Sequence, residues 1–319
     1  MNLHPKRISL KTISLRDTTF LLSYGYNLNP IRQSIKQIGV LNPPILRKRH
    51  NAAHQIICGY KRIRILKELG VISCPCILVP AKTGDKESLL LSLYDNTSHR
   101  ELNVVEKSMA IDKLKHYYSE EEIVHRFLPL LALHPHLTQL KIIEPLSTLE
   151  KEAKDALIEG RISEQTALLF SQTDRETRKV LFKFLSDLRL SVSSQAEVLE
   201  YISEIAAREN LPVKKVVCAS ELQSLLGNKK WSQPQKGEAI RTYLRERRYP
   251  QFAAKEKKFK HDLTQLGLSS RIRLTPPPFF EGNRYQLTVN FEDLEELRKR
   301  LRELKSLFKN SALRNIIED

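Results

Sequence analysis

The feature of this sequence that most constrains its fold is a long stretch of helical periodicity in its middle. From residue 86 to residue 208, apolar residues recur with the ~3.6-residue period of an amphipathic helix. Proline, glycine and N-capping serine or aspartate residues break this stretch into short segments. The predicted helices span residues 86–95, 103–117, 119–128, 136–144, 147–159, 163–170, 174–188 and 193–208. An all-α region is therefore expected here.

The residues before this stretch predict a mixed architecture. Residues 30–39 have the spacing of a short amphipathic helix, with Gly39 at the position of a C-terminal cap. Two short strands should follow, over 44–47 and 54–58, joined by the polar residues between them. Gly59 then ends the second strand, and a further helix (60–70) and strand (76–79) complete a front third that is α+β.

The C-terminal residues predict a β-hairpin followed by a helix. Residues 271–274 and 284–290 alternate polar and apolar side chains on either side of a loop that contains three prolines. The last helix carries an apolar seam with alternating spacings of three and four, made of Leu294, Leu297, Leu301, Leu304 and Phe308. We interpret this seam as a self-association surface, with packing of the helix on its own hairpin as the alternative.

The charge of the chain points to an anionic partner. The 319 residues include 53 Lys and Arg against 37 Asp and Glu, a formal net charge of +16. Between Lys229 and Arg273 there are 13 basic and 4 acidic residues, with aromatic side chains interleaved. We predict that this segment contacts a DNA backbone through Arg241, Arg245, Arg247, Arg248, Lys255, Lys257, Lys258 and Lys260. A merely solvated face is the alternative.

Several classes of protein are excluded or disfavoured by the same sequence. It contains no Gly-x-Gly-x-x-Gly or Gly-Lys-Ser/Thr phosphate loop. Its four cysteines lack the spacing of a zinc site, so they are interpreted as small buried hydrophobic residues. No apolar run approaches the ~18 residues that span a bilayer. The basic N-terminus has no apolar stretch behind it, so a cytoplasmic protein is expected.

Three stretches of the front segment together resemble the ParB partition-protein family, whose N-terminal fold is shared with sulfiredoxin. They are residues 35–47, residues 55–64 and residues 95–103 with Glu106. The resemblance implies a small mixed ParB/sulfiredoxin-like domain (1–100), an all-α, helix-turn-helix-like domain (101–212), a basic linker (213–268) and a dimerising strand-strand-helix module (269–319). It also implies DNA as a partner, a homodimer, a nucleoid- or plasmid-associated location, and a partition ATPase as a further partner.

The start of the second helix predicts a phosphate-binding site from its residues alone. Gly59 at a strand end is followed by Lys61, Arg62 and Arg64 at a helix start. Backbone N–H groups, a helix dipole and cations would thus surround one point. The alternative is that these cations form the solvated face of an amphipathic helix.

For this domain the resemblance implies CTP and Mg²⁺ binding that closes a dimeric clamp on DNA. The residues that it places around the nucleotide or phosphate are Gly39, Asn42, Pro43, Gly59, Lys61, Arg62, Arg64, Asn96, His99 and Arg100, with Asp95 at the metal. This sequence departs from the family in having Tyr60 in place of a glutamate and His99 in place of an arginine. Hydrolysis is accordingly in doubt, and no residue is assigned a catalytic role.

The middle region offers candidates for reading DNA bases. Residues 120–127 and 136–143 could form a helix-turn-helix, with Thr138, Gln139 and Lys141 facing the major groove. The linking residues are longer and more apolar than a usual turn, so ordinary helical packing is the alternative.

The sequence also leaves alternatives to a DNA-binding partition protein. A metal-dependent nuclease would need the carboxylates of Asp95, Glu101 and Glu106 to converge. A protein-interaction adaptor or a transcription regulator is the other alternative. Sulfiredoxin-type chemistry is disfavoured because Cys58 lies two residues before the position that such an enzyme requires.

Overall fold

The structure, a computed structural model, describes residues 4–49, 53–188, 190–308 and 310–318. Its contacts divide the chain into two compact units, each described here by itself. The first comprises the chain up to Lys183 together with Ser191–Ala196, and the second comprises Phe184–Leu190 and Glu197–Asp319. This division is coarser than the four predicted segments, whose boundaries stay predictions.

The first unit begins with a four-stranded mixed sheet and two helices. Its elements are β1 (Lys6–Ser9), α1 (Asn29–Ile38), β2 (Ile45–Lys48), β3 (His54–Cys58), α2 (Tyr60–Glu68) and β4 (Ser73–Val79). The strand order is β1-β4-β2-β3, with β2 antiparallel to β3 and parallel to β4. The α+β prediction is confirmed, although β1 was not predicted. Part of the predicted connection between β2 and β3, residues 50–52, lies outside the described residues.

The two helices are held on this sheet by their apolar faces. Ile35 of α1 and Ile63, Ile65 and Leu66 of α2 are buried in the same core as Leu46 of β2. Burial of one such aliphatic side chain stabilises a fold by about 1.5–3 kcal/mol. The packing therefore fixes the start of α2 at the end of β3, where the predicted phosphate site lies.

The rest of the first unit is helical, as the periodicity predicts. Its helices are α3 (Asp85–His99), α4 (Val104–Leu114), α5 (Glu120–Glu122), α6 (Leu128–Leu130), α7 (Leu137–Ile143), α8 (Lys151–Ile158) and α9 (Glu164–Ser171). The next two, α10 (Arg175–Leu188) and α11 (Val192–Glu209), each have residues in both units. A π-helical turn, Ile123–Phe127, joins α5 to α6. The two predicted helices of the helix-turn-helix are thus present, and the first runs on to Leu130.

The segment predicted as a basic linker, residues 213–268, contains four helices. These helices are α12 (Val213–Val217), α13 (Ser220–Gly227), α14 (Gln233–Arg248) and α15 (Pro250–Leu266). Ile240 and Leu244 of α14 are fully buried, one turn apart. The abundance of basic residues obscured this apolar face, because the charged side chains occupy the remaining positions of the same helix.

The C-terminal module contains the predicted hairpin and helix, followed by a second helix. Its elements are β5 (Ile272–Thr275), β6 (Gln286–Val289), α16 (Leu294–Leu307) and α17 (Ser311–Glu318). The two strands are antiparallel, and a small core forms around Leu266, Leu274 and Leu307. The last helix was not predicted.

Candidate functional site

The predicted phosphate-site residues meet around one cavity of the first unit, with a volume of about 330 Å³. It is bounded by the segment after α1, the start of α2 and the end of α3. Of the predicted residues, those that line it are Gly39, Asn42, Gly59, Lys61, Arg62, Asp95, Asn96, His99 and Arg100. Residues far apart in sequence are thus brought together as the three matched stretches predict.

Gly59 shapes the floor of this cavity. Its φ of 86° lies in the left-handed region, and it caps α2 without a side chain. A Cβ atom here would lie 3.0 Å from Pro44 Cβ and 3.1 Å from Pro44 Cα. Because the first amides of a helix have no acceptor within it, the glycine leaves these N–H groups accessible to an anion.

Lys61 is a cation held without an acidic partner among the described residues. Its Nζ lies 2.9 Å from the centroid of the Tyr26 ring, and the side chain is half-buried. Burial, together with the charge of Arg100 and against an opposing contribution from Glu106, lowers the pKa of Lys61 to about 7. A bound anion would relieve this unfavourable environment of the ammonium group.

Arg62 faces the same cavity and connects two of its walls. Its guanidinium donates to the Asn42 carbonyl oxygen, and its Nη2 lies 3.8 Å from Asp95 Oδ2. No three His, Cys, Asp or Glu side chains among the described residues group to hold a metal ion. The donor set nevertheless fits Mg²⁺ in its usual mode, with one or two carboxylates plus phosphate oxygens, because Asp95 and the unpredicted Asp17 both line the cavity.

Arg100 lines the cavity but is already bound to a carboxylate. Its Nη1 and Nη2 lie 2.6 Å and 3.1 Å from the two carboxylate oxygens of Glu106. Nη2 also donates to Asn96 Oδ1 at 2.9 Å. His99, the neighbouring candidate, has Nδ1 2.7 Å from the Asp95 carbonyl oxygen. Both side chains are thus hydrogen-bonded within the protein, and each would have to leave a partner to bind a phosphate.

Two predicted phosphate residues lie outside the cavity, and Tyr60 has a packing role. Arg64 points away on α2 and binds Glu68 at 3.0 Å, because it lies two positions, about 200°, beyond Arg62 on the helix. Pro43 is also absent from the lining. The Tyr60 hydroxyl donates to the Leu15 carbonyl oxygen at 2.7 Å, and its ring packs on the core.

The carboxylates that a nuclease would need do not converge. Glu106 is fully buried and bound to Arg100, whereas Glu101 is exposed and lies 3.3 Å from Lys107 Nζ. Asp95 lies on another helix beside Arg62. Within the part of the chain that the structure describes, this arrangement gives no support to a metal-dependent nuclease.

Sequence reasoning missed Tyr26, which contacts both Lys61 and Arg100. The Arg100 guanidinium carbon lies 4.6 Å from the Tyr26 ring centroid, and the hydroxyl donates to Glu106 Oε2 at 2.5 Å. Tyr26 lies in the loop before α1, where no periodicity marks it. The Asn103 and Glu106 pair, spaced as a capping box, was the available signal for this part of the site.

The predicted base-reading residues differ in exposure. Thr138 and Lys141 of α7 are exposed, and Gln139 is half-buried against a separate cavity that includes Leu133 and Ile143. The imidazole of His136 caps the helix by accepting from the Thr138 amide. Thr138 and Lys141 are therefore accessible to a partner, and their role in reading DNA stays a prediction.

Most arginines of the basic segment are engaged in ion pairs within the second unit. Arg241 and Arg247 of α14 bind Glu197 at 2.7 Å and Glu209 at 2.5 Å, both on α11. The remaining pairs in this group are Arg248 with Glu204 and Arg245 with Glu256. These contacts assign a structural role to arginines that the charge count alone had suggested for DNA.

The lysines of α15 are the better placed cations. Lys255, Lys257 and Lys260 are exposed. Lys257 forms a surface ion pair with Glu246, and Lys260 forms one with Glu256. Surface pairs of this kind contribute only about 0–1 kcal/mol, so they yield readily to a phosphate. Lys258 is exposed as well.

Two further expectations concern cysteines and membranes. Cys58, Cys74 and Cys76 are buried free thiols, as expected for small hydrophobic residues, whereas Cys218 is exposed. Burial raises the pKa of the Cys58 thiol. Among the described residues, no helix is both long and apolar enough to cross a bilayer.

The comparisons with known proteins agree on one kind of relative. The model of the ParB N-terminal domain matches residues 23–97. A nucleoid occlusion protein of Geobacillus thermodenitrificans is 25% identical over 185 residues, which are 57% of this chain and 63% of that protein. The chain thus spans less than two thirds of the length of this relative.

Another relative and one solved structure extend the comparison. A probable chromosome-partitioning protein ParB of Vibrio cholerae is 25% identical over 92 residues, which are 29% of this chain and 31% of that protein. The C-terminally truncated chromosome-partitioning protein ParB from Caulobacter crescentus, complexed with CTP-gamma-S, is 18% identical. It superposes with a TM-score of 0.27 over 55% of this chain and 97% of that chain.

Proposed function

Because this chain is a divergent member of the ParB family, we propose that it is a DNA-binding protein that holds a cytidine triphosphate in the cavity at the start of α2. The observation that carries the nucleotide proposal is the meeting of Gly59, Lys61 and Arg62 at one cavity. This cavity lies within the segment that matches the ParB N-terminal domain. Its function would be partition or nucleoid occlusion, as the names of the relatives suggest.

The chemistry of the cavity suits a triphosphate in three ways. Open amides at the start of α2 can bind phosphate oxygens. Lys61 and Arg62 supply two cations, one of which has no acidic partner in the described part of the chain. Asp95 would hold Mg²⁺, which would neutralise phosphate charge when it is bound. Tyr60 offers no carboxylate, so the proposal assigns binding and not hydrolysis.

Binding should weaken as the pH rises above 7, because the pKa of Lys61 is lowered to about 7. A triphosphate favours the charged ammonium form of Lys61. At pH values above this pKa, where Lys61 of the free protein is mostly neutral, binding therefore requires the uptake of a proton and becomes weaker. We expect about fivefold weaker CTP binding at pH 8 than at pH 7, measured by calorimetry.

The matched control for this pH dependence is Lys61→Arg. A guanidinium stays charged at every pH in this range, and any titration of the nucleotide itself affects both proteins equally. The ratio of the two affinities should therefore follow the titration of Lys61. A ratio that stays constant from pH 6 to pH 9 would contradict the proposed role of Lys61.

For DNA we propose the exposed lysines of α15 as backbone contacts and Thr138 and Lys141 of α7 as candidates for base contacts. The α15 lysines need only give up surface pairs, whereas Arg241, Arg247 and Arg248 would have to leave glutamates of α11. Gln139 would have to leave a partly buried position.

Duplex DNA binding should be strongly salt-dependent, because each phosphate contact releases a condensed counterion. Contacts with about four phosphates predict a slope of about −3.6 in a plot of log affinity against log salt. The double change Lys255→Ala with Lys257→Ala should make this slope shallower by about 1.8. Fluorescence anisotropy at several salt concentrations measures both.

A charge-matched control is Lys36→Ala with Lys82→Ala, two exposed lysines of the first unit for which no DNA contact is proposed. Its slope should equal that of the unaltered protein. A flat salt dependence of the unaltered protein would favour the adaptor interpretation instead.

We also propose that the protein is a homodimer through α16. The apolar seam of this helix is divided: Leu297 and Leu304 are partly buried, while Leu294, Leu301 and Phe308 are exposed by 73%, 48% and 80%. These three lie seven residues apart and therefore form one stripe along the helix. A second copy of the chain would cover this stripe. A partition ATPase remains a partner suggested only by the family.

A further inference from the structure

The second unit has a groove along one face of α14 that the proposed function leaves without a role. Gln235, Glu238, Thr242 and Glu246 line it, and their spacing of three or four residues places them on one side of the helix. The other wall is formed by the end of α13 and by Trp231, in the turn between the two helices. The groove has a volume of about 560 Å³. It follows about 16 Å of α14, a length that suits a short segment of a partner chain.

Aromatic rings provide much of the apolar surface of this groove. Trp231 is the single tryptophan of the 319 residues, and it is 37% exposed. Tyr243 is partly buried and lines the same groove. Tryptophan and tyrosine often anchor a partner at protein interfaces, because they bury a large area at a small cost in side-chain entropy. The two rings therefore offer anchoring surface to a bound protein.

The charge of the groove is opposite to that of the surrounding sequence. Residues 229–273 contain 13 basic and 4 acidic residues, yet two of these acidic residues, Glu238 and Glu246, line the groove. Among the residues that the structure describes, the lining includes no Lys, Arg or His. Three arginines of α14 are instead paired with glutamates of α11. A polyanion such as DNA would be repelled from this groove, whereas a cationic segment would be attracted to it.

Both glutamates can exchange their present partners for an incoming cation. Glu246 pairs with Lys257 at 2.9 Å. Glu238 pairs with Arg241 at 3.2 Å, although Arg241 has a closer partner, at 2.7 Å, in Glu197. Such surface pairs contribute little to stability, so a cation of a partner can replace them. Arginine suits both parts of the groove, because its planar guanidinium stacks on aromatic rings and binds carboxylates in a bidentate manner.

We propose that this groove binds an arginine-bearing segment of a partner protein. Trp231 and Tyr243 stack with its guanidinium groups, and Glu238 and Glu246 pair with them. The segment that the charge count assigned to DNA thus also carries a surface for a protein. This binding requires neither the nucleotide nor DNA, so its failure would leave the proposed function unaffected.

The fluorescence of Trp231 tests this directly, because the chain contains no other tryptophan. The probe is N-acetyl-tetra-arginine amide, titrated into the full chain at low salt. The control peptide contains citrulline in place of arginine and so has nearly the same shape without the charge. We expect saturable quenching by the arginine peptide, with an affinity at least about tenfold higher than that of the citrulline peptide. Equal effects of both peptides, or unchanged emission up to about 1 mM peptide, would overturn the inference.

A pair of matched variants separates the groove from the general charge of the surface. Glu238→Gln should weaken binding of the arginine peptide about tenfold, and it should keep the fold because Glu238 is exposed. Glu221→Gln is the control, since Glu221 is an exposed glutamate of the neighbouring α13 that lies outside the groove. The affinity should be unchanged in this control. Equal losses in the two variants would mean that only net charge matters, which contradicts a specific groove.

Two other occupants of the groove have their own signatures. Stronger quenching of Trp231 by duplex DNA alone than by the arginine peptide would place nucleic acid in the groove. Emission that shifts with protein concentration, in the absence of peptide, would assign the groove to a second copy of this chain. Either result would overturn the assignment to a partner protein.

Discussion

Arg62→Ala should lower the affinity for CTP by about 30- to 100-fold, because charge-assisted hydrogen bonds of about 2–3 kcal/mol to the phosphates would be lost. Arg62 lines the cavity and is only loosely paired, since its Nη2 lies 3.8 Å from Asp95 Oδ2, whereas Arg100 is bound closely to Glu106. Titration calorimetry with CTP and Mg²⁺ measures the effect. The protein should keep its fold, because the side chain is on the wall of the cavity and outside the core.

Arg64→Ala is the control for this experiment, since it removes the same charge from the same helix. Arg64 is exposed, binds Glu68 and lies outside the cavity lining. CTP affinity should therefore change by less than about twofold, in keeping with the small effect of a remote surface charge. Equal losses in both variants would mean that only the general charge of α2 matters. An equal response to ATP and CTP would remove the specificity for cytidine.

Leu301→Asp should weaken the proposed dimer by about 100-fold or more. Leu301 lies in the middle of the exposed stripe of α16, and a two-fold interface would contain it twice. Loss of its burial in both copies costs about 3 kcal/mol or more, before the penalty for a buried carboxylate is added. Sedimentation analysis over a range of concentrations would show a monomer where the unaltered protein is a dimer.

Ile72→Asp is the matched control for this dimer test. Ile72 is 76% exposed, about as much as the outermost residues of the α16 stripe, but it lies before β4 in the first unit. The oligomeric state should not change in this variant. If the unaltered protein is a monomer at micromolar concentration, the dimer proposal fails irrespective of either substitution.

Local patterns were sufficient to predict most of the helices and strands. Gly39 and Gly59 end α1 and β3 where they were expected, and the apolar period of the middle region corresponds to α3–α11. These features depend on residues within a few positions of each other. The cavity itself was predictable only through the order and spacing of three separate stretches that resemble one family.

Features that depend on distant partners were not predictable. The arginines of α14 looked like a free basic surface, but Arg247 and Arg248 bind glutamates about forty positions earlier, on α11. Arg100 looked like a phosphate ligand, and the structure shows it bound to Glu106. Charge counts describe composition, whereas the availability of a charge depends on which opposite charges the fold places beside it.

The packing of Tyr60 limits how this site can change. Its hydroxyl donates to the Leu15 carbonyl oxygen, and its partly buried ring packs against the core of the first unit. A glutamate restored at this position would replace a donor by an acceptor-only carboxylate and remove an aromatic ring from the core. An acidic residue at position 60 would therefore lose both this hydrogen bond and the packing of the ring, so the same side chain that denies the cavity a carboxylate also ties α2 to the segment around Leu15.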